Sequence, residues 1–436
     1  MRFSAQERRH PFATTLSFLL LTFLVLFPKG GVKIAGVPLT WGYLILGFSA
    51  VVLAVVRFLK GPLRYPVAVL AAAASLVPFQ ILYLYSYRQN GVDSPGYSLA
   101  TFVGFFLLPA AFLLVFQGYW PLLDRAAFER YLCFCIIAAA LWGIFLFFWH
   151  PVVGSFIEIP YLTVNADDYG QIELTKHITR GRFSKLISTY NNGNVYGLAM
   201  LIVLPLYDVL EPKRWKRNVL RLSLLLTLSR TVWAGLVIEQ ILSFVAVAGH
   251  FTRTFPRLHL GTATRKILAV LATLGLISVG LLLNSWSVSV FLDPTIGGRS
   301  GEIGSLTTTT FLPSLPLTGF NELTYNSALQ HYGVAGFFAI VLIFAGPILY
   351  LGWAPHAVRD PTRRSAAKGL VLYSIMAAVD GATNLIPVMA FYWFTYLTLL
   401  CGLPGKPPDE TAVMPSRSAL PKDVGGVQGL LGSSAT

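Results

Sequence analysis

The chain has 436 residues, of which 55% are hydrophobic and only 12% are charged. Soluble domains carry roughly 25% charged residues, so this composition excludes an ordinary soluble fold. A net charge of +14 would suggest nucleic acid as a partner of a soluble protein, but the basic bias of cytoplasmic loops explains this charge in a membrane protein. The three cysteines (Cys133, Cys135 and Cys401) all lie in apolar runs, so we expect neither a disulfide framework nor a metal cluster.

The apolar runs predict an all-α fold, a polytopic transmembrane helical bundle of about twelve spans, because about 20 apolar residues suffice to cross the hydrocarbon. The spans are predicted at 13–28, 40–58, 66–86, 97–117, 131–149, 195–210, 218–230, 231–249, 267–284, 325–351, 369–386 and 388–403. The first run follows Arg8 and Arg9, as in a signal peptide, but no small-residue cleavage site follows it, which favours a first membrane helix. We expect a single transmembrane domain over 1–403 and a disordered cytoplasmic tail over 404–436.

The basic residues predict which side each loop faces. With the N-terminus and the C-terminus both on the cytoplasmic side, every inner segment is basic, as the positive-inside rule requires. The inner segments hold 24 of the 33 Lys and Arg residues, and the other nine, which face outward, are Lys29, Lys33, Arg88, Lys176, Arg180, Arg182, Lys185, Arg230 and Arg299.

The stretch 222–248 is interrupted only by Arg230 and Glu239, and it allows two interpretations. One long helix would place the basic clusters 213–221 and 253–266 on opposite sides of the membrane. Two short spans that meet near Arg230 keep both clusters inside, and we prefer this hairpin. Its first span is too short for a full hydrocarbon core of about 30 Å. Arg230 would then lie at a turn slightly below the outer surface.

Two outer segments are long, at about 150–194 and 285–324, and long loops in a compact bundle are often functional. Both are rich in Gly, Asn, Thr and Tyr, a composition that suits a groove for a sugar chain and is also common in ordinary loops. Five short motifs lie in or beside these segments, and in chain order they are Asn192 to Gly197, Ser229-Arg230, Arg299, Pro316 to Phe320, and Asn326 to Gly336.

In their order and their shared outer position, these motifs resemble the O-antigen polymerase and O-antigen ligase family, over roughly residues 180–345. The resemblance implies a glycosyltransferase of the bacterial inner membrane that works on O-antigen, capsule or exopolysaccharide. It would transfer a glycan from a polyprenyl-pyrophosphate carrier to an acceptor hydroxyl on the outer face. Its partners would be the carrier-linked oligosaccharide, membrane lipids and other glycan-assembly proteins such as a flippase or a chain-length regulator, with no nucleic acid.

The resemblance and the chemistry of a pyrophosphate leaving group together suggest roles for individual residues. Arg230 and Arg299 are the predicted catalytic cations, because the planar fork of donors in arginine matches phosphate. Glu322 and His331 are candidates for the base that activates the acceptor hydroxyl. The residues predicted to bind substrate are Arg180, Arg182, Asn194 and Asn326. No motif resembles a metal site, so we expect transfer without a metal or another cofactor.

Each of these residues also has a structural alternative. Arg230 could snorkel to the outer head groups, and Arg299 could be a solvated loop charge. Glu322 could complement a helix dipole, and His331 could simply be packed. The remaining alternatives are lipid contact for Arg180 and Arg182 and helix N-capping for Asn194 and Asn326.

Three functions stay open at this stage, and polymerisation of the glycan repeats is preferred. Ligases of the family typically have His before the Asn of the last motif, whereas this chain has Tyr325 there and the nearest histidine is His331. A ligase that transfers glycan to lipid A–core is therefore the second choice. The third is a transporter or flippase that uses Glu239 and Asp380, acids placed within spans. Transporters often contain an internal repeat, and none is visible here.

Overall fold

The computed structural model describes residues 11–34, 37–59, 65–120, 123–172, 179–180, 183–251, 310–320, 322–354 and 359–403. This part of the chain is mostly helical, with a few short strands. The predicted span 267–284, the predicted tail 404–436, Arg182 and Arg299 lie outside the described residues.

The helices follow one another closely along the chain. Those of the first part are α1 (Pro11–Leu21), α2 (Trp41–Leu59), α3 (Val67–Ala74), α4 (Val77–Asn90), α5 (Pro95–Phe102) and α6 (Arg125–Val153). Those of the second part are α7 (Gly193–Leu210), α8 (Arg214–Leu226), α9 (Arg230–Phe251), α10 (Thr324–Trp353), α11 (Pro361–Asp380) and α12 (Ile386–Cys401). α1 is extended by a π-helical turn to Leu26, and α5 is extended through π-helical and 3-10 turns to Gly118.

Five helical segments of the described chain are long and apolar enough to cross a membrane. They are Val67–Asn90, Pro95–Gly118, Arg125–Val153, Gly193–Leu210 and Thr324–Trp353. Three shorter apolar helices are Thr14–Leu26, Trp41–Val56 and Ile386–Cys401. Each overlaps a predicted span, so the prediction of a mostly helical chain with apolar helices of membrane-spanning length is confirmed.

One predicted boundary is wrong. The span predicted at 369–386 is a helix, α11, that begins at Pro361 and ends at Asp380. Its first turn is polar, so hydropathy does not reveal it. The Asp360 side chain caps this turn by accepting a hydrogen bond from the backbone N of Thr362 at 2.9 Å, and a proline at the first helical position is favoured there.

α7 lies at the centre of the bundle, between α11 and α12. The side chains from Val195 to Tyr207 on α7 are all buried. α7 and α11 approach closely at Gly369, because a Cβ there would overlap the carbonyl oxygen of Ile202. α12 is buried along nearly its whole length, and Trp393 fixes it to the α5 extension by donating from Nε1 to the Gly104 carbonyl at 2.7 Å.

The helices define two ends of the bundle. The first, called the hairpin end below, comprises 186–194, 227–230, 317–320, 322–326 and 380–384, which are joined by the contacts described in the next section. The second, called the base end, comprises 118–120, 123–130, 208–217, 359–368 and 400–403. At the base end, Trp120 donates from Nε1 to the Gly402 carbonyl at 2.8 Å.

Two small antiparallel ribbons lie in the loops of the hairpin end. β1 (Gly31–Ile34) pairs with β2 (Val37–Thr40), and β3 (Thr179–Arg180) pairs with β4 (Phe183–Ser184). In the second ribbon Arg180 is opposite Phe183. The structure therefore gives the backbone position of Arg180, whereas its side chain lies outside the description.

Candidate functional site

The stretch around Arg230 forms two helices joined by a tight turn, as the charge pattern predicts. α8 ends at Leu226, and α9 begins at Arg230. Trp233 reaches back across the turn and donates from Nε1 to the Leu225 carbonyl at 2.8 Å. Arg221 and Glu239, nine residues before and after Arg230, approach to 3.9 Å, so the two helices are antiparallel. Arg230 is half-buried at the tip of this hairpin.

The start of α7 lies beside the hairpin turn. The backbone N of Leu186 donates to the Leu226 carbonyl at 3.0 Å. Gly193 faces the turn so closely that a Cβ would lie 3.2 Å from the Thr227 carbonyl oxygen. Gly197, one turn further along α7, has no room for a Cβ because the Val232 side chain of α9 occupies that position. The first turns of α7 and α9 are therefore packed directly against each other.

Asn194 is not the N-cap of α7. The cap is Asn192, whose Oδ1 accepts hydrogen bonds from the backbone N of Asn194 at 2.8 Å and of Val195 at 3.4 Å. Asn194 is the second residue of the helix, and its half-buried side chain is directed to another helix. It donates from Nδ2 to Oδ2 of Asp380 at 3.0 Å. The interpretation of Asn194 as a capping residue is therefore wrong, and its amide orients a carboxylate instead.

Asp380 is the acid that sequence reasoning did not place in the site. It is the last residue of α11 and is only 3% exposed. A carboxylate at a helix C-terminus is disfavoured by the helix dipole, and its burial adds a desolvation cost. Such an expensive arrangement inside a membrane protein marks a candidate functional residue.

Arg230 and Asp380 lie at the same level of the bundle. α9 and α11 are antiparallel, because Glu239 contacts Lys368, whereas a Cβ on Gly235 would lie 3.5 Å from Sδ of Met376. Residues nearer the start of α9 therefore face residues nearer the end of α11. The register places the first residue of α9 beside the last turn of α11.

α10 also begins at the hairpin end. The backbone N of Gly381 donates to the Glu322 carbonyl at 2.9 Å, which joins the start of α10 to the end of α11. The Glu322 side chain is exposed just before the helix, and Asn326 is the half-buried third residue of α10. The N-cap position is Leu323, so the capping interpretation of Asn326 is also wrong. The N-termini of α7, α9 and α10 thus lie at one end, where their dipoles favour an anion.

His331 contacts the segment that precedes α10. Its Nδ1 lies 3.1 Å from Oγ1 of Thr318, in the segment 310–320 that covers α10 and α4. Five residues on an α-helix correspond to a rotation of about 140°, so His331 and Asn326 lie on different faces. The segment is fixed to α10 by backbone hydrogen bonds, including one from Val334 N to the Thr310 carbonyl at 3.0 Å. The geometry associates His331 with this segment and Asn326 with the start of the helix.

Backbone strain is concentrated at the same end. The described non-glycine residues with positive φ are Tyr161 (65°), Ser188 (50°), Asn191 (55°), Leu228 (50°) and Ala382 (46°). Leu228 is in the hairpin turn, Asn191 precedes the α7 cap, and Ala382 follows the end of α11. A left-handed conformation costs a non-glycine residue about 1–2 kcal/mol. Strain of this kind is typical of functional sites, where the surrounding structure holds a fixed geometry.

The structure therefore brings Arg230, Asn194, Asn326 and Glu322 to one end of the bundle and adds Asp380 to them. Arg180 contributes a backbone position in a loop of the same end, and His331, on α10, contacts Thr318 of the segment 310–320. Among the described residues, no group of three or more His, Cys, Asp and Glu side chains could hold a metal ion. Searches against models of protein families and against curated proteins found no match to this chain.

Proposed function

We propose that this protein is a membrane glycosyltransferase that polymerises polyprenyl-pyrophosphate-linked glycan repeats at the outer face of a bacterial cytoplasmic membrane. The hairpin end would face outward. The observation that carries the proposal is the α8–α9 hairpin, which places Arg230 at its tip, close to the N-termini of α7 and α10. A pyrophosphate leaving group at the membrane surface develops negative charge, and preorganised donors aimed at such charge are a large catalytic term.

The distribution of charge between the two ends supports this orientation. Basic side chains at the base end are Arg125, Arg130, Lys213, Arg214, Lys216, Arg217, Arg359, Arg363, Arg364 and Lys368, and the acids there are Asp124, Glu129, Asp208, Glu211 and Asp360. Basic residues at the hairpin end and its loops are Lys29, Lys33, Arg88, Arg180, Lys185 and Arg230, and the acids are Asp93, Glu158, Asp167, Asp168, Glu322 and Asp380. The positive-inside rule assigns the basic base end to the cytoplasm, together with both termini.

In this proposal Arg230 binds the carrier pyrophosphate, with Arg299 as its predicted second cation. Arg299 lies outside the described residues, so its role rests on the sequence motif. Asp380 is the acid best placed to orient or deprotonate an acceptor hydroxyl, because it lies level with Arg230 and its carboxylate is held by Asn194. Glu322 remains the exposed alternative at the same end, and His331 remains a candidate whose Nδ1 contacts Thr318.

The position before Asn326 supports the polymerase over the ligase. Tyr325 stands where the ligases of the resembling family typically have His. Its hydroxyl donates to the Ser374 carbonyl at 2.7 Å and is therefore engaged in the contact between α10 and α11. A residue held in this way does not supply a base to an acceptor.

The charges around Glu239 argue against the transporter alternative. Glu239 lies 2.5 Å from Nζ of Lys368 and 3.9 Å from Nη2 of Arg221. A carboxylate whose charge is already balanced by two cations is poorly suited to carry a proton or an ion. Asp380, the other acid of that alternative, lies at one end of the bundle.

The direct test is to incubate the purified protein, reconstituted in lipid, with polyprenyl-pyrophosphate-linked repeat units. A ladder of products that grow by one repeat at a time supports the proposal. Substrate that is moved across the membrane without growth, or that remains unchanged, contradicts it. In a deletion strain, accumulation of carrier-linked single repeats supports the polymerase, whereas accumulation of long carrier-linked glycan indicates a ligase.

A further inference from the structure

Below the hairpin end, four charged side chains from four helices form one ion-pair network. Nη2 of Arg221 on α8 contacts Oδ2 of Asp208 on α7 and lies 3.9 Å from Oε2 of Glu239 on α9. Nζ of Lys368 on α11 lies 2.5 Å from Oε1 of Glu239 and also contacts Oγ of Ser243. Ser243 in turn donates to Oε1 of Glu239 at 2.9 Å. We call Asp208, Arg221, Glu239 and Lys368 the charge network.

The charge network is partly buried, with Glu239 at its centre, and its charges balance. The Glu239 side chain is only 2% exposed, and those of Lys368 and Arg221 are 20% and 30% exposed. Two cations face two carboxylates, so the network as a whole is neutral. Removal of one partner would leave an uncompensated charge in a low-dielectric environment, which is strongly destabilising. The positions of the four side chains relative to one another are therefore closely constrained.

The length of the hairpin helices does not fix their position across the membrane, so another interaction, such as the charge network, has to fix it. α8 has 13 residues, which correspond to about 20 Å and fall short of a hydrocarbon core of about 30 Å. The hydrophobic effect that buries α9 is non-directional, so it does not by itself select one register. A shift of one residue along α9 would displace Glu239 by about 1.5 Å and rotate it by about 100°, which would separate it from Lys368.

Arg230 and Glu239 lie on the same uninterrupted helix, nine residues apart. Any shift or rotation of α9 at Glu239 is therefore transmitted to Arg230, about 13.5 Å away. We infer that the charge network is a positioning device that fixes the register of α9 and so the placement of Arg230. This inference rests on the proposed function of Arg230 in glycan transfer.

The test compares Glu239→Gln and Lys368→Met with the exchanged pair Glu239→Lys plus Lys368→Glu, and with the neutral pair Glu239→Gln plus Lys368→Met. The matched control is Glu211→Gln, which removes a buried acid of the base end that contacts Lys216 at 3.1 Å. Two kinds of measurement are made. One is kcat and KM in the ladder assay. The other is the labelling rate of Arg230→Cys by a membrane-impermeant maleimide, in a background without the native cysteines.

We expect Glu239→Gln to lower kcat about 10- to 100-fold, the effect of a displacement of about 1 Å at a reacting centre, with little change in KM. It should also raise the labelling rate at position 230, because the end of α9 is less tightly held. The exchanged pair should restore both quantities only in part, because it places a lysine beside Arg221. If the exchanged pair does not fold, the neutral pair should still restore kcat and the labelling rate in part, because it leaves no unpaired charge.

The inference is overturned if Glu239→Gln matches Glu211→Gln in both kcat and labelling rate. It is also overturned if neither double variant improves on the single variants. Failure of the proposed function gives a different result from failure of this inference. If the wild-type protein forms no ladder, the glycan-transfer assignment fails, and the labelling rates alone then decide whether the charge network positions residue 230.

Discussion

Replacement of Asn194 by alanine removes one hydrogen-bond partner of a buried carboxylate. The Asn194 amide donates to Asp380 over 3.0 Å, and Asp380 is only 3% exposed. A hydrogen bond to a charged group contributes about 1.5–3 kcal/mol. If transfer requires this orientation of Asp380, loss of the hydrogen bond raises the activation free energy by the same amount. We therefore expect turnover to fall about 10- to 150-fold.

The chain offers a matched control two residues away. Asn192→Ala removes the N-cap of the same helix, at a cost of about 0.5–2 kcal/mol in stability, but it does not touch Asp380. Thermal unfolding in detergent should therefore show comparable losses for both variants, whereas the ladder assay should show the large loss only for Asn194→Ala. Equal turnover of the two variants, or full turnover of Asn194→Asp, would refute the proposed role of Asn194.

Three further predictions concern the framework of the site. Gly197→Ala should lower the free energy of unfolding by about 1–3 kcal/mol because the new Cβ meets Val232, and Val232→Ala in the same chain should restore part of the loss. Leu228→Val should be less stable than Leu228→Gly by about 1–2 kcal/mol, because the φ of 50° at this turn is accessible to glycine and strained for a β-branched residue. Asn384→Ala should speed amide hydrogen exchange at Phe320, whose backbone N donates to Oδ1 of Asn384 at 2.9 Å. Unfolding measurements test the first two, and mass spectrometry tests the third.

Hydropathy and charge predicted the helices well where an apolar run coincides with a helix. α7, predicted at 195–210, is helical from Gly193 to Leu210. Hydropathy did not detect the polar first turn of α11, because that turn is stabilised by Asp360 and Pro361 rather than by burial. The break between α8 and α9 was predictable from charge, because one helix would have separated two basic clusters by a membrane.

The site itself was only partly predictable. The motif around Arg230 led to the hairpin tip, and Asn194 and Asn326 lie at the same end. The partner of Asn194 could not be found from local sequence, because Asp380 is 186 residues away and its role depends on the packing of α7 against α11. The sequence likewise could not show which asparagine between Asn191 and Asn194 caps the helix, because their side chains are identical.

The central claim is that Arg230, at the tip of the hairpin, acts on the carrier pyrophosphate. The measurement that tests it most directly is the initial rate of ladder formation by Arg230→Ala, compared with Arg88→Ala, which removes an exposed arginine of the same end. The account predicts a loss of about 100- to 1000-fold for Arg230→Ala, as for removal of one preorganised donor at a developing charge, and a near-normal rate for Arg88→Ala. Equal rates for the two variants, with both proteins folded, would contradict it.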